Sequence, residues 1–350
     1  MEGVTVGEAS LLSHLCLGCM AYLDNPDEPC PNPECGWQQT NGNSKDQLPP
    51  RTHLVNRYMI GRSIGQGAFG ITYIGWDIHT QRRVAIKEYY PRYLVDRVNI
   101  CDVVPNNVTT VERFNRGKEW FINEGKRVSK FAFPPHIVNA QECFESNGTA
   151  YRVMQYVDGI TFLQYIERIH RPLSMNETMK MFLPVFEGIE AAHSVGLIHR
   201  DINPQNMIVG NNGGVQILDF SASRSFAQQD ETGKVINVKT KFAPNEMFLI
   251  RGSDKLIVDV YALSATIYYA VTMHFPATAL ERRKSLEQQG EDVLVSPMKY
   301  NSLLTPAQEN AITTGMSIDP NKRYKSVKEL SLALMEGENA IWNKIKRKIM

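Results

Sequence analysis

Apolar residues fall along this chain with two spacings. Between Tyr58 and Lys87 they come in short runs broken by glycines: Tyr58-Met-Ile, then Ile71-Thr-Tyr-Ile-Gly-Trp, then Val84-Ala-Ile-Lys87. Runs this short, bounded by turn residues, predict strands. Tyr151 to Val157 reads the same way, and Val215 to Leu218 is a further short apolar run. From Val111 to Phe131 the period changes, with Phe114, Trp120, Phe121 and Val128 among the apolar residues of a predicted helix. A second helix is predicted over Met179 to Ser194, where Pro184 should introduce a kink. The apolar run Val258 to Met273 contains Asp259 and falls short of the roughly 20 residues that a bilayer requires, so it predicts a buried core helix. From Asp219 to Glu246 no period is evident, and Ser, Thr, Gln and Lys prevail. That segment is predicted to be a loop.

Two further stretches interrupt the pattern. Gln38 to His53 is Gln, Asn, Gly, Ser and Pro with almost no large apolar residue, a composition that predicts a linker between a module at 1–37 and the body of the chain. Glu88 to Thr110 is a long connector that reads as a surface insertion, with Tyr89-Tyr-Pro packing beside the strands. No internal repeat is evident.

Composition narrows the classes. With 350 residues, 43% of them hydrophobic, the chain can bury a large core and is long enough for about two domains. Lys and Arg number 38 against 37 Asp and Glu, so no net field recruits nucleic acid or an acidic membrane. Leu11 to Tyr22 is apolar, but His14 interrupts it, Glu2 and Glu8 precede it, and it holds two cysteines, so it is not read as a signal sequence. No span is expected in this chain, and the basic stretch Lys344 to Lys348 forms a tail at 338–350.

Four of the six cysteines lie within the first 35 residues: Cys16 and Cys19, then Cys30 and Cys35, followed by Gly36. Two cysteine knuckles joined by a ten-residue loop let four thiolates converge on one tetrahedral ion, with Gly36 allowing the backbone to turn after the last ligand. The pattern resembles a zinc ribbon, with structural Zn2+ as its ligand. A pair of disulfides, or free thiols in a disordered tail, are the alternatives. The absence of a signal sequence favours a reducing compartment and hence the metal. Cys101 and Cys143 are isolated and read as ordinary thiols.

The candidate chemistry lies from His199 to Asn206, His-Arg-Asp-Ile-Asn-Pro-Gln-Asn, with Leu-Asp-Phe-Ser at Leu218 to Ser221. Phosphoryl transfer from a nucleotide needs a carboxylate to take the proton of an attacking hydroxyl, and an amide and a carboxylate to hold magnesium. Asp201, Asn206 and Asp219 fit those roles. Upstream, Gly65-Gln-Gly-Ala-Phe-Gly70 is flanked by strand-like runs on both sides, which suits a hairpin over phosphates. Lys87 follows 17 residues after Gly70 on the Val-Ala-Ile-Lys strand, where an ammonium can pair with phosphates.

These motifs, in this order, resemble a eukaryotic-type (Hanks-type) serine/threonine protein kinase over about Tyr58 to Met335. Phe-Gly-Ile-Thr-Tyr, Ile-Lys-Glu-Tyr-Tyr-Pro and Arg-Asp-Ile-Asn-Pro are similar to bacterial members that carry an N-terminal zinc ribbon. The resemblance implies an α+β, bilobal fold, with a β-rich N-lobe to the hinge at 57–157 and a larger helical C-lobe at 158–337, joined through a linker at 38–56 to the ribbon. It implies ATP and Mg2+ (or Mn2+) as cofactors and a protein as substrate. Ile64, Gly65, Gln66, Gly67, Ala68, Phe69, Gly70 and Thr72 would cover the nucleotide. Ala85 and Ile208 would sandwich the adenine, Met154 would be the gatekeeper, and the backbone of Gln155 and Val157 would bond the base edge. Lys87 would be held by Glu124, with Glu119 as the fallback. Asp201 would be the catalytic base, and Asn206 and Asp219 the metal ligands. Ala243-Pro-Asn-Glu246 would close the activation loop with one residue inserted, Glu246 pairing with Arg323, and Asp259 would fix the catalytic-loop backbone.

Three letters depart from the family's pattern. Asn203 stands where a Lys usually steadies the transferring phosphate, and Val238 stands where that Lys has its Thr partner. Ser221 replaces the Gly of Asp-Phe-Gly and restricts the backbone beside Asp219. None of these changes removes a metal ligand or the base. Arg200 and the acceptors Ser223, Ser225, Thr232 and Thr240 suggest autophosphorylation of the loop. The expected activity is therefore protein phosphorylation in a bacterial cytoplasm. The competing readings are a pseudokinase scaffold and a small-molecule kinase, the latter disfavoured by the Ala-Pro-Asn-Glu segment and the Asp-Val-Tyr helix. Any self-association would run through the ribbon or the N-lobe.

Overall fold

The computed structural model describes residues 11–38, 41–131, 136–138, 140–218, 241–248 and 256–336. Two compact units divide the chain, Met1–Phe131 with Asn139–Tyr156, and Ala132–Val138 with Val157–Met350.

The first unit is built on a six-stranded antiparallel sheet. Its strands are β1 (His53–Leu54), β2 (Tyr58–Gln66), β3 (Gly70–Asp77), β4 (Arg82–Tyr89), β8 (Ala140–Ser146) and β9 (Thr149–Gln155), in the order β1-β2-β3-β4-β9-β8. A separate hairpin, β5 (Val95–Val98) with β6 (Asp102–Pro105), occupies the long connector. Helix α1 (Val111–Val128) follows, buries Phe114, Phe121, Ile122, Gly125 and Val128, and ends three residues short of Phe131.

Side chains alternate across the sheet, as the pleat requires. Tyr73, Ile86, Glu88 and Tyr151 share one face, and Leu48 together with Val95 and Val103 of the β5–β6 hairpin joins the core there. Glu88 is fully buried at the centre of a polar knot: its carboxylate accepts from Arg97 at 2.6 Å and from the hydroxyls of Tyr73 and Tyr151 at 2.9 Å each. Burial pushes the Glu88 carboxyl up, against the pull of Arg97 and the tyrosines. Tyr73 Oη in turn accepts from the backbone of Leu48 at 2.9 Å.

Residues 41–50, where composition predicts a linker, are thus built into the unit. Asn43 Nδ2 donates to Leu48 O at 2.7 Å and to Gly61 O at 3.0 Å, and Asn43 Oδ1 accepts from Ser63 N at 3.0 Å. The polar composition reflects side chains that bond to β2. The cysteine module also docks: Leu12, Leu15, Leu17 and Met20 pack with Met59, Ile74 and Ile78 of the sheet and its edge.

The second unit carries a four-stranded sheet in the order β10-β11-β12-β7, with β7 at Ile137–Val138, β10 at Gly159–Thr161, β11 at Met207–Gly210 and β12 at Val215–Leu218. Its helices are α2 (Phe162–Ile169), α3 (Met175–Ser194), α4 (Ile257–Thr272), α5 (Ala279–Gln289), α6 (Pro306–Gly315) and α7 (Val327–Leu334). Capping boxes at Thr161, Ser174, Thr278 and Thr305 start four of them. Helix α3 continues through Pro184 for its full 20 residues. Helix α4 is buried from Val258 to Thr272, the core helix expected from its apolar run.

Candidate active site

In the first unit the glycine-rich segment forms the turn between β2 and β3. Gly65 pairs with Thr72 and Gln66 with Ile71, and Gly67 N donates to Gly70 O at 2.9 Å. The tip is tethered by Ala68 O and Phe69 O, which accept from Arg92 N at 3.2 Å and Tyr90 N at 3.0 Å. Gly70 is needed by the fold, because a Cβ there would stand 2.6 Å from Glu88 O. Gly65 and Gly67 are different: neither adopts a left-handed φ, and a Cβ on either would meet nothing within 4 Å. Neither backbone conformation nor packing within the protein demands glycine at these two positions. Ile64 and Phe69 lie exposed beside them.

Ala85 and Lys87 are half-buried on β4, where Thr72 faces Lys87 from β3 and Arg152 faces it from β9. Met154, buried on β9, pairs with Ala85. Gln155 ends that strand, and Val157 begins the longer of the second unit's two segments. On α1, Glu119 is exposed, whereas Glu124 is half-buried and accepts from Arg152 at 2.9 Å.

In the second unit the segment 199–206 is organised by Asp259, fully buried in the first turn of α4. Its carboxylate accepts from the backbone amides of His199 and Arg200, both at 2.7 Å, and lies 2.8 Å from His193 Nε2. Those bonds hold Arg200 at φ 64°, a left-handed value that a non-glycine residue keeps only when its surroundings impose it. His199 Nε2 donates to Leu218 O at 2.9 Å while its Nδ1 accepts from Asp201 N at 3.2 Å, tying the loop to the end of β12.

Asp201 is held from two sides. Asn203 Nδ2 donates to its carboxylate at 3.0 Å and to its carbonyl at 2.9 Å, and Asn206 Nδ2 donates to the same carbonyl at 2.8 Å. Asn206 thereby commits its nitrogen to the backbone, so its side-chain oxygen is the atom that offers a lone pair to a cation. Asn203, buried at 1% exposure, also caps the turn at Pro204–Asn206 by accepting from Gln205 N at 3.0 Å. Ile208 lies half-buried on β11, opposite Gln216. Asp219 comes one residue after β12, and it, Ser221, Val238 and the acceptors Ser223, Ser225, Thr232 and Thr240 lie outside the described residues.

Glu246 and Arg323, far apart in sequence, form the expected pair. Arg323 Nη1 and Nη2 both meet the Glu246 carboxylate, and Arg323 Nε donates to Ser317 O at 2.7 Å.

The four N-terminal cysteines converge: their sulfurs all lie within 4.8 Å of one another, with Cys16 to Cys35 at 3.7 Å and Cys19 to Cys30 at 3.6 Å. All four are free thiols. Sulfurs at the corners of a tetrahedron around zinc stand about 3.8 Å apart for a bond of about 2.3 Å, so the cluster has the dimensions of a metal site. Gly36 turns the chain at φ 59° after Cys35, and a Cβ on Gly18 would strike Cys35 Sγ at 2.7 Å. Burial pushes the Cys16 thiol up to about 11. On Cys30 burial acts the same way, but bonds from the Asn32 amide and the neighbouring thiols outweigh it and lower the value.

Sequence reading misses two features of this site, the bond from Asn203 to Asp201 and the pairing of Arg152 with Glu124. An Arg inside the apolar strand run Tyr151-Arg-Val-Met is the one signal that could have indicated the second.

The model of the protein kinase domain family matches residues 58–333. Serine/threonine-protein kinase PknD of Chlamydia muridarum is 26% identical over 324 residues, covering 81% of this chain and 32% of the relative. The probable serine/threonine-protein kinase PknB of Lactococcus lactis is 27% identical over 281 residues, 79% of this chain and 41% of the relative. This chain thus spans about a third of the length of such relatives. The solved structure of PpkA-294 in its apo form superposes with a TM-score of 0.69 at 25% identity, covering 83% of this chain and 99% of that one. The chain belongs to the protein kinase family, with a kinase domain of the Hanks serine/threonine type.

Proposed function

We propose that this chain transfers the γ-phosphoryl group of ATP to serine or threonine hydroxyls of a protein substrate. The observation that carries the reading is the grip on Asp201, whose carboxylate and carbonyl are fixed by two asparagine amides on a loop that Asp259 holds by its backbone. A general base so constrained meets an incoming hydroxyl in one orientation, and positioning is most of what phosphoryl transfer asks of a protein.

From the first unit, residues 64–70 and Thr72 cover the nucleotide, with Gly65 and Gly67 leaving room for phosphates. Lys87 binds the α- and β-phosphates and Glu124 orients it. Ala85 and Met154 line the adenine side together with the backbone of Gln155. Within the second unit, Ile208 and the backbone of Val157 are the residues the family pattern assigns to the adenine. Asp201 takes the proton of the substrate hydroxyl as its oxygen bonds to phosphorus and the bond to the ADP oxygen breaks. Asn206 and Asp219 would hold magnesium or manganese, whose charge offsets that of the phosphates.

Cys16, Cys19, Cys30 and Cys35 would hold one structural zinc, for which the spacing of their sulfurs is the support. Free thiols and a cluster of this kind suit a reducing compartment, and we assign the domain to the cytoplasm. Among the described residues no helix is long and apolar enough to cross a membrane. Phosphorylation of the loop acceptors by the enzyme itself is part of the same reading.

The test is transfer of labelled phosphate from magnesium-ATP to the chain and to a basic protein, with Asp201→Asn beside the native form. Transfer should fall by at least about 100-fold in the variant, the lower end of what a general base contributes. A native chain that transfers nothing, or a variant as active as the native chain, overturns the reading.

A further inference from the structure

Arg152 lies in the middle of β9 with its side chain 2% exposed. Its cross-strand neighbours are Lys87 on β4 and Cys143 on β8, so three strands place Lys87, Arg152 and Cys143 in one row on the face that carries α1. The guanidinium reaches the helix at three points. Its Nε donates to Phe121 O at 3.1 Å with Nη2 beside it on the same oxygen, Nη2 donates to Glu124 Oε2 at 2.9 Å, and its Cζ lies 4.2 Å from the centre of the Phe121 ring.

The helix is shaped to receive it. Residues 121 and 124 are one turn apart and share a side of α1. Between them and the sheet stands Gly125, where a Cβ would come within 2.8 Å of Arg152 Nε and 2.3 Å of Cys143 Sγ. Glycine inside a helix is unfavourable, and here it makes the room that the guanidinium occupies. A buried ion pair is seldom the most stable filling for such a space, since apolar residues of similar volume often do as well or better. What the pair supplies that an apolar contact does not is a fixed carboxylate.

We propose that Arg152 is a positioning residue that holds Glu124 and the C-terminal half of α1 against β9. The proposal rests on the reading of Glu124 as the residue that orients Lys87. In protein kinases the placement of this helix is a controlled step, set by loop phosphorylation. Here three contacts from a single strand residue fasten it to β9.

The experiment uses the full chain with Arg152→Met, Arg152→Lys, Glu124→Gln and the double variant Arg152→Met with Glu124→Gln. Amide hydrogen exchange is measured across the first unit, and kcat and KM for ATP are measured alongside. In Arg152→Met, amides 118–128 should exchange at least 10-fold faster while those of 71–76 stay within 3-fold. KM for ATP should rise at least 5-fold. Arg152→Lys, which keeps a charge but not the fork, should fall between native and Met. Adding Arg152→Met to Glu124→Gln should change kcat/KM by less than 2-fold. Equal acceleration across helix and sheet would mean a purely structural Arg152 and would overturn the proposal, as would independent, additive losses in the double variant or native exchange of α1. The exchange measurement needs no catalysis, so a chain that transfers no phosphate would sink the assigned activity while still deciding the role of Arg152.

Discussion

Asn203 shows how one residue can depart from a family's pattern and still serve the same loop. The family's Lys is a point charge aimed at a phosphate, whereas this amide is buried at 1% exposure and divided between Asp201 and the turn that follows. Asn203→Ala should remove a donor from the Asp201 carboxylate and the cap from Pro204–Asn206 together. A hydrogen bond to a charged group is worth about 1.5–3 kcal/mol, so kcat should fall roughly 10- to 100-fold with KM for ATP little changed. Asn203→Lys should not improve on the native enzyme, because its ammonium would enter a buried site shaped for an amide. Steady-state kinetics of the two variants, each first shown to melt as one cooperative species, check this. A Lys variant more active than native would show that the site opens to solvent in the working enzyme. The letter Asn203 was visible in the sequence as a missing charge; its partner was not, because only the folded turn brings the amide back onto the residue two positions earlier.

At the scale of elements, helix starts show how far local sequence determines structure. Ser174 and Glu177 form a capping box at α3: Glu177 N donates to Ser174 Oγ at 3.2 Å, and the Glu177 carboxylate accepts from Ser174 N at 2.9 Å and from Arg171 at 2.6 Å. The Arg171 bond, with help from the Ser174 amide, lowers the Glu177 carboxyl to about 2. A carboxyl depressed on folding stabilises the native state above its unfolded value, and that contribution is lost as pH falls through the folded value. Glu177→Gln should therefore cost under about 1 kcal/mol at pH 7, since the pair is solvent-screened. The gap between native and variant should close between about pH 5 and pH 2, as urea denaturation at several pH values would show. A gap that stayed constant over that range would mean that the charge plays no part in the cap. The α3 cap went unread, the helix start being predicted at Met179 and found at Met175; the strands around Gly65 to Gly70 and the α4 core run were legible, because each is encoded within a few neighbouring residues. The contacts of residues 41–50 and of Glu88 with Arg97 were not. They join polar residues that are usually exposed, and only long-range packing turns a Gln-, Asn- and Ser-rich stretch or an apparent surface insertion into part of a core.

For the molecule as a whole, the cysteine module has the properties of a structural part of the first unit. Leu17 and Met20 lie between and beside the knuckle cysteines Cys16 and Cys19 and face the sheet: Leu17 O accepts from Arg62 N at 2.7 Å, Arg62 Nη1 donates to Cys35 O at 3.1 Å, and Met20 packs over Gly61. Removing a metal from four thiolates releases the loops that carry those contacts, so chelation should uncover Met59 and Ile74 on the strands that lead into and out of the glycine-rich turn. Losing even one buried Leu or Met contact costs about 2–5 kcal/mol, which corresponds to a fall of at least about 4 °C in Tm. Gly61→Ala separates docking from metal binding, because its Cβ would stand 2.3 Å from Met20 Cε, 2.5 Å from Leu17 O and 3.0 Å from Ile74 Cγ2, its three nearest neighbours, none of them a cysteine. The variant should keep one zinc per chain by elemental analysis, lose the same few degrees, and become sensitive to protease within 11–38 without chelator. If chelation leaves Tm unchanged, the metal does not hold the docked module. If Gly61→Ala instead loses zinc as readily as it loses stability, the site forms only on the sheet, and ribbon and sheet fold as one cooperative body.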